Sequence, residues 1–333
     1  MHNDSAALIG IDWGSSAMRV FLIGGDGVLL GTRSAASGSS TLGGDPAAHV
    51  LALEAVAGDW LRDNPYLPLL ACGMVGSQHG WREAPYVDCP AKLASLAGAA
   101  VRVALADGCE LSILPGLRFS PAFGAPDVMR GEETQIAGVL ARYPEWGERC
   151  CIVMPGTHSK WALVERGEVS AFATYMTGEL YAVLTDHSVL GRLMTGRMGP
   201  VDWQAFEYGV AAGGEQGGQA LSHLLFGART LGLTGRLPAK ALHDYLSGLL
   251  IGHELAAALA WQRNGSQTKA PLALVGETAL CERYQKALRY FGVASQVLSN
   301  TAPDGLWHLA GVAGLLGRGQ QLISAPTDLA LPR

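Results

Sequence analysis

Charge is scarce in this chain. Asp, Glu, Lys and Arg make up 16% of the 333 residues, and the formal net charge is −5. With no basic run, an electrostatic nucleic-acid footprint is excluded, and neither a helix-turn-helix prefix nor a zinc-finger spacing appears. The six cysteines, Cys72, Cys89, Cys109, Cys150, Cys151 and Cys281, form no Cys-x-x-Cys pair, and the nine histidines supply no His-Glu-x-x-His. Structural and hydrolytic zinc sites are therefore not expected, and the thiols read as small buried hydrophobes in a reducing compartment. No apolar run approaches the ~20 residues of a membrane span. Met1 to Ser5 is polar and lacks the apolar segment of a signal peptide. A cytoplasmic protein with no membrane partner is the expectation. A P-loop is missing too: Gly213-Gly214-Glu215-Gln216-Gly217-Gly218 has the glycines but not the Lys-Ser/Thr, so it reads first as a connector.

Apolar residues, in contrast, are plentiful at 49%, enough for a sizeable core, and the length suits two medium domains. The polar connector Tyr143 to Arg149 is the best boundary, giving domains over residues 1–146 and 147–333. The first half opens on Ile9 to Arg19. Leu8, Ile9 and Ile11 read as a buried strand ending on Asp12. Gly14, Ser15 and Ser16 make a turn, Met18 to Ile23 returns as a strand, and Gly24 to Gly27 turns into a third strand over Val28 to Ser34. A carboxylate beside such a backbone nest suits Mg²⁺ and a polyphosphate, although an Asx-bonded hairpin turn reads the same way.

Residues 37–44 read as a flexible polar loop, and Asp45-Pro46 as the start of a helix. Leu67 to Cys72 suits a buried parallel strand. Beyond it, in the loop Gly73 to Trp81, Gln78 and His79 offer donors and acceptors to a polyol and Trp81 offers a ring face. In open α/β sheets ligands bind at that end of a strand, but a polar surface turn is an equal reading. The Ala-rich stretch Leu93 to Leu105 reads as helix. Asp127 to Leu140 contains Gly131-Glu132-Glu133 at a helix start, where two acids either complement the helix dipole or supply a general base.

The opening pattern recurs after the connector. Cys151 to Met154, a Pro155-Gly156-Thr157-His158-Ser159-Lys160 turn, Trp161 to Glu165, a Gly turn and Val169 to Tyr175 repeat strand, turn, strand, turn, strand. A duplication is harder to dismiss than either copy alone. Two such turns are expected to face each other and grip one triphosphate. Helices are then expected over Glu179 to Met194, over Trp203 to Phe226 with an interruption at Gly213, and over Pro238 to Gln262. A strand Pro271 to Val275 leads into Gly276-Glu277-Thr278, and the final helix, Asp304 to Leu316, contains Gly311.

In this order the motifs resemble the actin/hexokinase/Hsp70 ATPase fold and, within it, the FGGY carbohydrate kinases. Gly76-Ser-Gln-His-Gly80 is similar to their sugar loop, Gly131-Glu132 to the Gly-Asp-Gln that bears their catalytic base, and Gly276-Glu277-Thr278 to their nucleoside segment. With Met154 to Trp161 and Asp127 to Gln135, the whole stretch from Ile9 to Leu316 most resembles the 2-dehydro-3-deoxygalactonokinases. The resemblance implies an α/β fold of two ribonuclease H-like domains with an interdomain cleft. It also implies ATP-dependent phosphorylation of the C6 hydroxyl of 2-dehydro-3-deoxy-D-galactonate. On that reading Asp12 meets Mg²⁺. Gly14, Ser15, Ser16, Gly156, Thr157 and His158 donate to phosphates, with Lys160 either adding charge or only flanking its strand. Gly276, Glu277, Thr278 and Gly311 surround the nucleoside. Gln78, His79 and Trp81 hold the sugar acid, and Arg19, Arg82 or Arg130 meets its carboxylate. The base is Glu132, Glu133 or Asp127, in that order, the family's Asp being Glu here. The partners are a sugar acid and ATP, with no nucleic acid; a homodimer stays open. Rival readings are a kinase for 2-dehydro-3-deoxy-D-gluconate, a phosphatase of the same fold, which would want a basic channel that the chain lacks, and an actin-like ATP switch.

Overall fold

The computed structural model describes residues 5–105, 108–195, 199–214, 220–265 and 270–316. Its elements run β1 (Ala6–Trp13), β2 (Met18–Gly24), β3 (Leu29–Ala35), α1 (Pro46–Asp63), β4 (Leu69–Gly73), β5 (Tyr86–Asp88), β6 (Ala91–Lys92), α2 (Leu93–Gly98), β7 (Val101–Ala104), β8 (Glu110–Ile113), β9 (Gly116–Phe119), β10 (Asp127–Met129) and α3 (Glu132–Arg142). There follow β11 (Arg149–Met154), β12 (Ser159–Glu165), β13 (Glu168–Tyr175), α4 (Thr177–His187), α5 (Trp203–Gly214), α6 (Leu221–Leu233), α7 (Leu242–Gly265), β14 (Leu272–Val275), α8 (Thr278–Tyr290), β15 (Gln296–Leu298) and α9 (Ala302–Val312). None of the described helices is long and apolar enough to cross a membrane.

The chain forms two compact units. One contains residues up to Gly147, the short segment Gly167–Ser170 and the segment from Thr301; the other contains Glu148–Arg166 and Ala171–Asn300. The division by contacts thus falls after Gly147, with Gly311 in the first unit. The cause is local: α9 packs on α3 and β1. Glycines permit that approach, since a Cβ at Gly305 would lie 1.9 Å from the Thr134 carbonyl oxygen and one at Gly138 1.9 Å from that of Thr301.

The first unit is built on a six-stranded sheet of order β3-β2-β1-β4-β8-β7. β1 and β2 are the antiparallel hairpin that alternation predicts, and β4 adds parallel to β1 with Asp12 opposite Cys72 and Trp13 opposite Gly73. A second, three-stranded sheet has the order β10-β9-β5. The core on one face contains Ile9, Ile11, Trp13, Met18, Leu53 and Trp81. Asp45 caps α1, its side chain accepting from Ala47 N.

Two expectations change here. Residues 37–44 are not loose: Ser39–Thr41 form a 3-10 turn bonded to the first hairpin, with Ser39 N donating to Gly14 O (2.9 Å) and Ser40 N to Ser15 O (3.3 Å). The Ala-rich stretch Leu93 to Leu105 breaks at Ala99 into α2 and β7, because Val101 and Val103 alternate with exposed partners on the sheet edge.

In the second unit β11, β12 and β13 repeat the hairpin pattern, and β14 and β15 add parallel in the order β15-β14-β11-β12-β13. Helices α5, α7 and α8 cover this sheet around Val153, Trp161, Phe206 and Leu255. The expected helix from Pro238 begins as a 3-10 turn, Ala239–Ala241, before α7, and the one from Glu179 stops at His187. Residues 215–218 of the Gly213 to Gly218 stretch lie outside the described residues.

Candidate functional site

In the first unit the carboxyl ends of β1 and β4 meet the N-terminus of α3. Two glycines with positive φ make the approach feasible. Gly73 (φ 93°) follows β4, and a Cβ there would lie 2.7 Å from the Trp13 carbonyl oxygen; Gly131 (φ 112°) precedes α3, and its Cβ would lie 3.3 Å from Gly73 Cα. Asp12, Cys72 and Glu133 converge at this junction. The Cys72 thiol is pushed well above its ordinary range by burial, then by the charges of Asp12 and Glu133. Asp12 is itself raised by burial, opposed by Arg19, whose Nη2 donates to Asp12 Oδ2 at 2.6 Å. Arg19 is thus committed to Asp12.

The two glutamates have different environments. Glu133 is 0% exposed. Its Oε2 accepts from Gly131 N at 2.6 Å, while Oε1 is buried without a partner. Burial first, and the Glu132 charge second, push its carboxyl from 4.5 up to about 8. Glu132 is half-buried, and its Oε2 accepts from Arg130 N at 3.1 Å. Asp127 stands at the start of β10, its Oδ1 accepting from Val128 N.

Arg130 has buried donors that no described residue uses. Its Nη2 donates to Ala84 O at 2.8 Å and its guanidinium lies 4.4 Å from the centre of the Tyr86 ring, but Nε and Nη1 are buried with no partner. Gly76 adjoins it: a Cβ there would lie 3.0 Å from Arg130 Nη1. Arg82, Gln78 and His79 are exposed. Trp81 does not present an open ring face. It is 8% exposed, stacked on His49 at 5.5 Å and edge-on to Trp13 at 6.0 Å. Ser15 and Ser16 are exposed on their turn, whose base is held by Trp13 Nε1 donating to Ser37 O at 2.9 Å.

The second unit supplies its own turn. Gly156 has open space where a Cβ would go, and Thr157 and His158 are exposed. Glu179 N donates to Thr157 O at 3.0 Å, and His158 Nε2 meets Glu179 Oε2 at 2.5 Å. Lys160 is buried, with Nζ donating to Thr174 Oγ1 at 2.8 Å, so it braces β12 against β13. Beside Gly156 opens a cavity of about 610 Å³, in the range of small-molecule sites, whose lining includes Gly178, Tyr181, Ser247, Leu250, Leu280 and Arg283. Arg283 Nη2 donates to Asp244 Oδ1 at 2.6 Å on its wall. Gly276 sits where a Cβ would be 3.2 Å from Pro155 O, at the root of the turn. Glu277 caps α8, its carboxylate accepting from Ala279 N and Leu280 N, which lowers its pKa; Thr278 is the first residue of that helix. The cavity wall thus uses Leu280, Arg283 and Tyr284, one turn beyond the Gly276-Glu277-Thr278 segment that sequence singled out. Cys72 and Gly73 were also missed; their signal was a small-residue pair closing an apolar strand.

Among the described residues no group of three or more His, Cys, Asp or Glu side chains could hold a metal. A lone Asp12 still fits Mg²⁺, which is commonly bound by one or two carboxylates together with substrate phosphates and water.

Comparison with known proteins identifies the family. The family model described as 2-keto-3-deoxy-galactonokinase matches residues 12–309. A protein of Rhizobium meliloti (strain 1021) named as a probable 2-dehydro-3-deoxygalactonokinase is 37% identical over 298 residues, 85% of this chain and 89% of that one. The 2-dehydro-3-deoxygalactonokinase of Escherichia coli (strain K12) is 36% identical over 288 residues, 86% of this chain and 91% of that one. A crystal structure of a Sinorhizobium meliloti protein assigned to the same kinases superposes with a TM-score of 0.78 at 33% identity, covering 91% of this chain and 98% of that one. At the level of fold alone, the activator of 2-hydroxyisocaproyl-CoA dehydratase from Clostridium difficile, solved with bound ADPNP, matches with a TM-score of 0.50 at 12% identity over 98% of this chain and 100% of that one. The fold is that of the actin/hexokinase/Hsp70 class, and the chain belongs to the 2-keto-3-deoxy-galactonokinase family of carbohydrate kinases.

Proposed function

We propose that the chain transfers the γ-phosphoryl group of ATP to the C6 hydroxyl of 2-dehydro-3-deoxy-D-galactonate, giving the 6-phosphate. Phosphoryl transfer leaves little covalent work for a protein beyond positioning and charge neutralisation. The observation that carries the reading is the pair of carboxyls at the start of α3. Glu133, raised to about 8, holds its proton at neutral pH, whereas half-buried Glu132 is left to accept one from the alcohol. On this reading Glu132 is the base and Glu133 its neutral neighbour, with Asp127, at the start of β10, ranked behind them.

Arg130 is the residue for the substrate carboxylate. Its two buried, unpartnered donors, Nε and Nη1, cost stability in isolation, and a carboxylate oxygen reaching Nη1 relieves part of that cost. Gln78 and His79 stand on the same loop as Gly76 and serve the hydroxyls. Asp12 would hold Mg²⁺ through water, and the ion would neutralise charge on the phosphates. Ser15 and Ser16, exposed on the turn of the first unit, are donors suited to phosphate oxygens, and the turn Gly156 to His158 of the second unit offers donors of the same kind. The nucleoside occupies the cavity lined by Leu250, Leu280 and Arg283. The names of the relatives favour the galacto acid over its gluco epimer.

An ADP-release assay over a panel of keto-deoxy sugar acids, pentoses and hexoses tests this. Turnover greatest with 2-dehydro-3-deoxy-D-galactonate is expected. Equal or faster turnover with the gluco epimer or with a neutral hexose would contradict it.

A further inference from the structure

Helix α7 carries a carboxylate where its pattern calls for a hydrophobe. Glu254 lies among Leu250, Ile251, Leu255 and Ala258 and is 2% exposed. Its lone pairs are used. Oε1 accepts from Ser159 Oγ at 2.8 Å and from Trp161 Nε1 at 2.8 Å, and Oε2 accepts from Tyr284 OH at 2.6 Å. The Thr177 side chain adds a fourth hydrogen bond. One carboxylate thus joins the start of β12, the start of α4 and the middle of α8 to α7.

Such a group is a poor choice for stability alone, since a buried charge gives up hydration that a well-packed apolar side chain would not. What it fixes is position. Ser159 directly follows the turn Gly156 to His158. Thr177 precedes Gly178, where a Cβ would lie 2.4 Å from the Gly156 carbonyl oxygen, and Glu179 N donates to Thr157 O. Two of the four donors, Thr177 and Tyr284, also line the cavity that begins at Gly156. The carboxylate therefore lies under the turn and under the cavity without lining either.

We propose that Glu254 is a positioning residue for the nucleotide: by holding Ser159, Trp161, Thr177 and Tyr284 on one carboxylate, it sets the Gly156 to His158 turn in the conformation that receives the polyphosphate of ATP. The inference rests on the kinase reading above. Glu254 does not touch the nucleotide. In Glu254→Gln an N–H faces one of the four donors, and that segment shifts.

The experiment is ATP binding by calorimetry, with Mg²⁺ and without sugar acid, on the wild type, Glu254→Gln, Ser159→Ala and Leu259→Ala. Leu259 is buried on the same helix, outside the network, and truncating it calibrates plain destabilisation. Glu254→Gln is expected to weaken ATP binding about tenfold, the equivalent of one lost hydrogen bond. KM for ATP should rise by the same factor while KM for the sugar acid stays within about twofold. Amide exchange over residues 155–160 should quicken in Glu254→Gln and not in Leu259→Ala. If Glu254→Gln does not fold, Ser159→Ala, which removes one donor next to the turn, carries the same expectation at a smaller size. Equal ATP affinity in the folded network variants and the wild type, or a loss no greater than that of Leu259→Ala, overturns the proposal and leaves the kinase reading intact. A wild type that binds no ATP overturns both.

Discussion

Two adjacent glutamates carry the chemical argument at the residue scale, and their environments separate them. Glu132→Gln removes the proposed proton acceptor and should lower kcat by about 10²–10⁴, the usual worth of a positioned base. Glu133→Gln replaces a group that is neutral at pH 7 and should hold kcat within about tenfold, since the side chain stays in place; steady-state turnover of both variants distinguishes them. Glu133 also makes a stability prediction. Its carboxyl titrates at about 8 in the fold against 4.5 when unperturbed. Between those values the folded state holds a proton that the unfolded chain has lost. Its contribution is therefore fully present below pH 4.5 and fades as pH rises through 8, by up to ~5 kcal/mol at 1.36 kcal/mol per unit. Urea unfolding at several pH values should show this slope in the wild type and its loss in Glu133→Gln. Arg130→Met should raise KM for the sugar acid about tenfold or more, as expected when a charge-assisted bond is lost, and leave KM for ATP near its wild-type value.

At the scale of elements, the hairpins were legible because strand alternation and Gly turns are local signals: β1, β2, β11 and β12 form over the residues expected. The start of α1 was legible for the same reason, as Asp45 caps it. What was not legible depends on partners distant in sequence. Residues 37–44 look like a floppy linker, yet Ser39 and Ser40 donate to the Gly14 to Ser16 turn, and buried Ser39 Oγ meets His49 Nε2 at 3.1 Å. Trp81 looks like a ligand platform in a loop, yet Trp13 and His49 claim it for the core. Glu254, an acid amid the apolar middle of α7, is conspicuous in sequence, but nothing local names its donors. Gly38→Ala tests the bracing of the first turn. A Cβ there would lie 2.1 Å from the Ser15 carbonyl oxygen, so the turn must move. The expected result is a KM for ATP raised about tenfold with a melting temperature only a few degrees lower, the scale of a ~1 kcal/mol loss.

At the scale of the whole molecule, the recurrence of strand, turn, strand, turn, strand announced two related units, and each contains its own sheet and turn. Sequence order hid that α9 returns to the first unit, where Leu306 packs against Gly10 of β1. It also hid the second unit's cavity, which is assembled from α4, α7 and α8. Family membership identifies the chain as a carbohydrate kinase of the 2-keto-3-deoxy-galactonokinase family. The most direct measurement is a ¹H–³¹P correlation spectrum of the product formed from 2-dehydro-3-deoxy-D-galactonate and ATP. A phosphomonoester coupled to the C6 methylene protons is predicted. Inorganic phosphate without a sugar phosphate, or a phosphate coupled to another carbon's proton, would contradict the account.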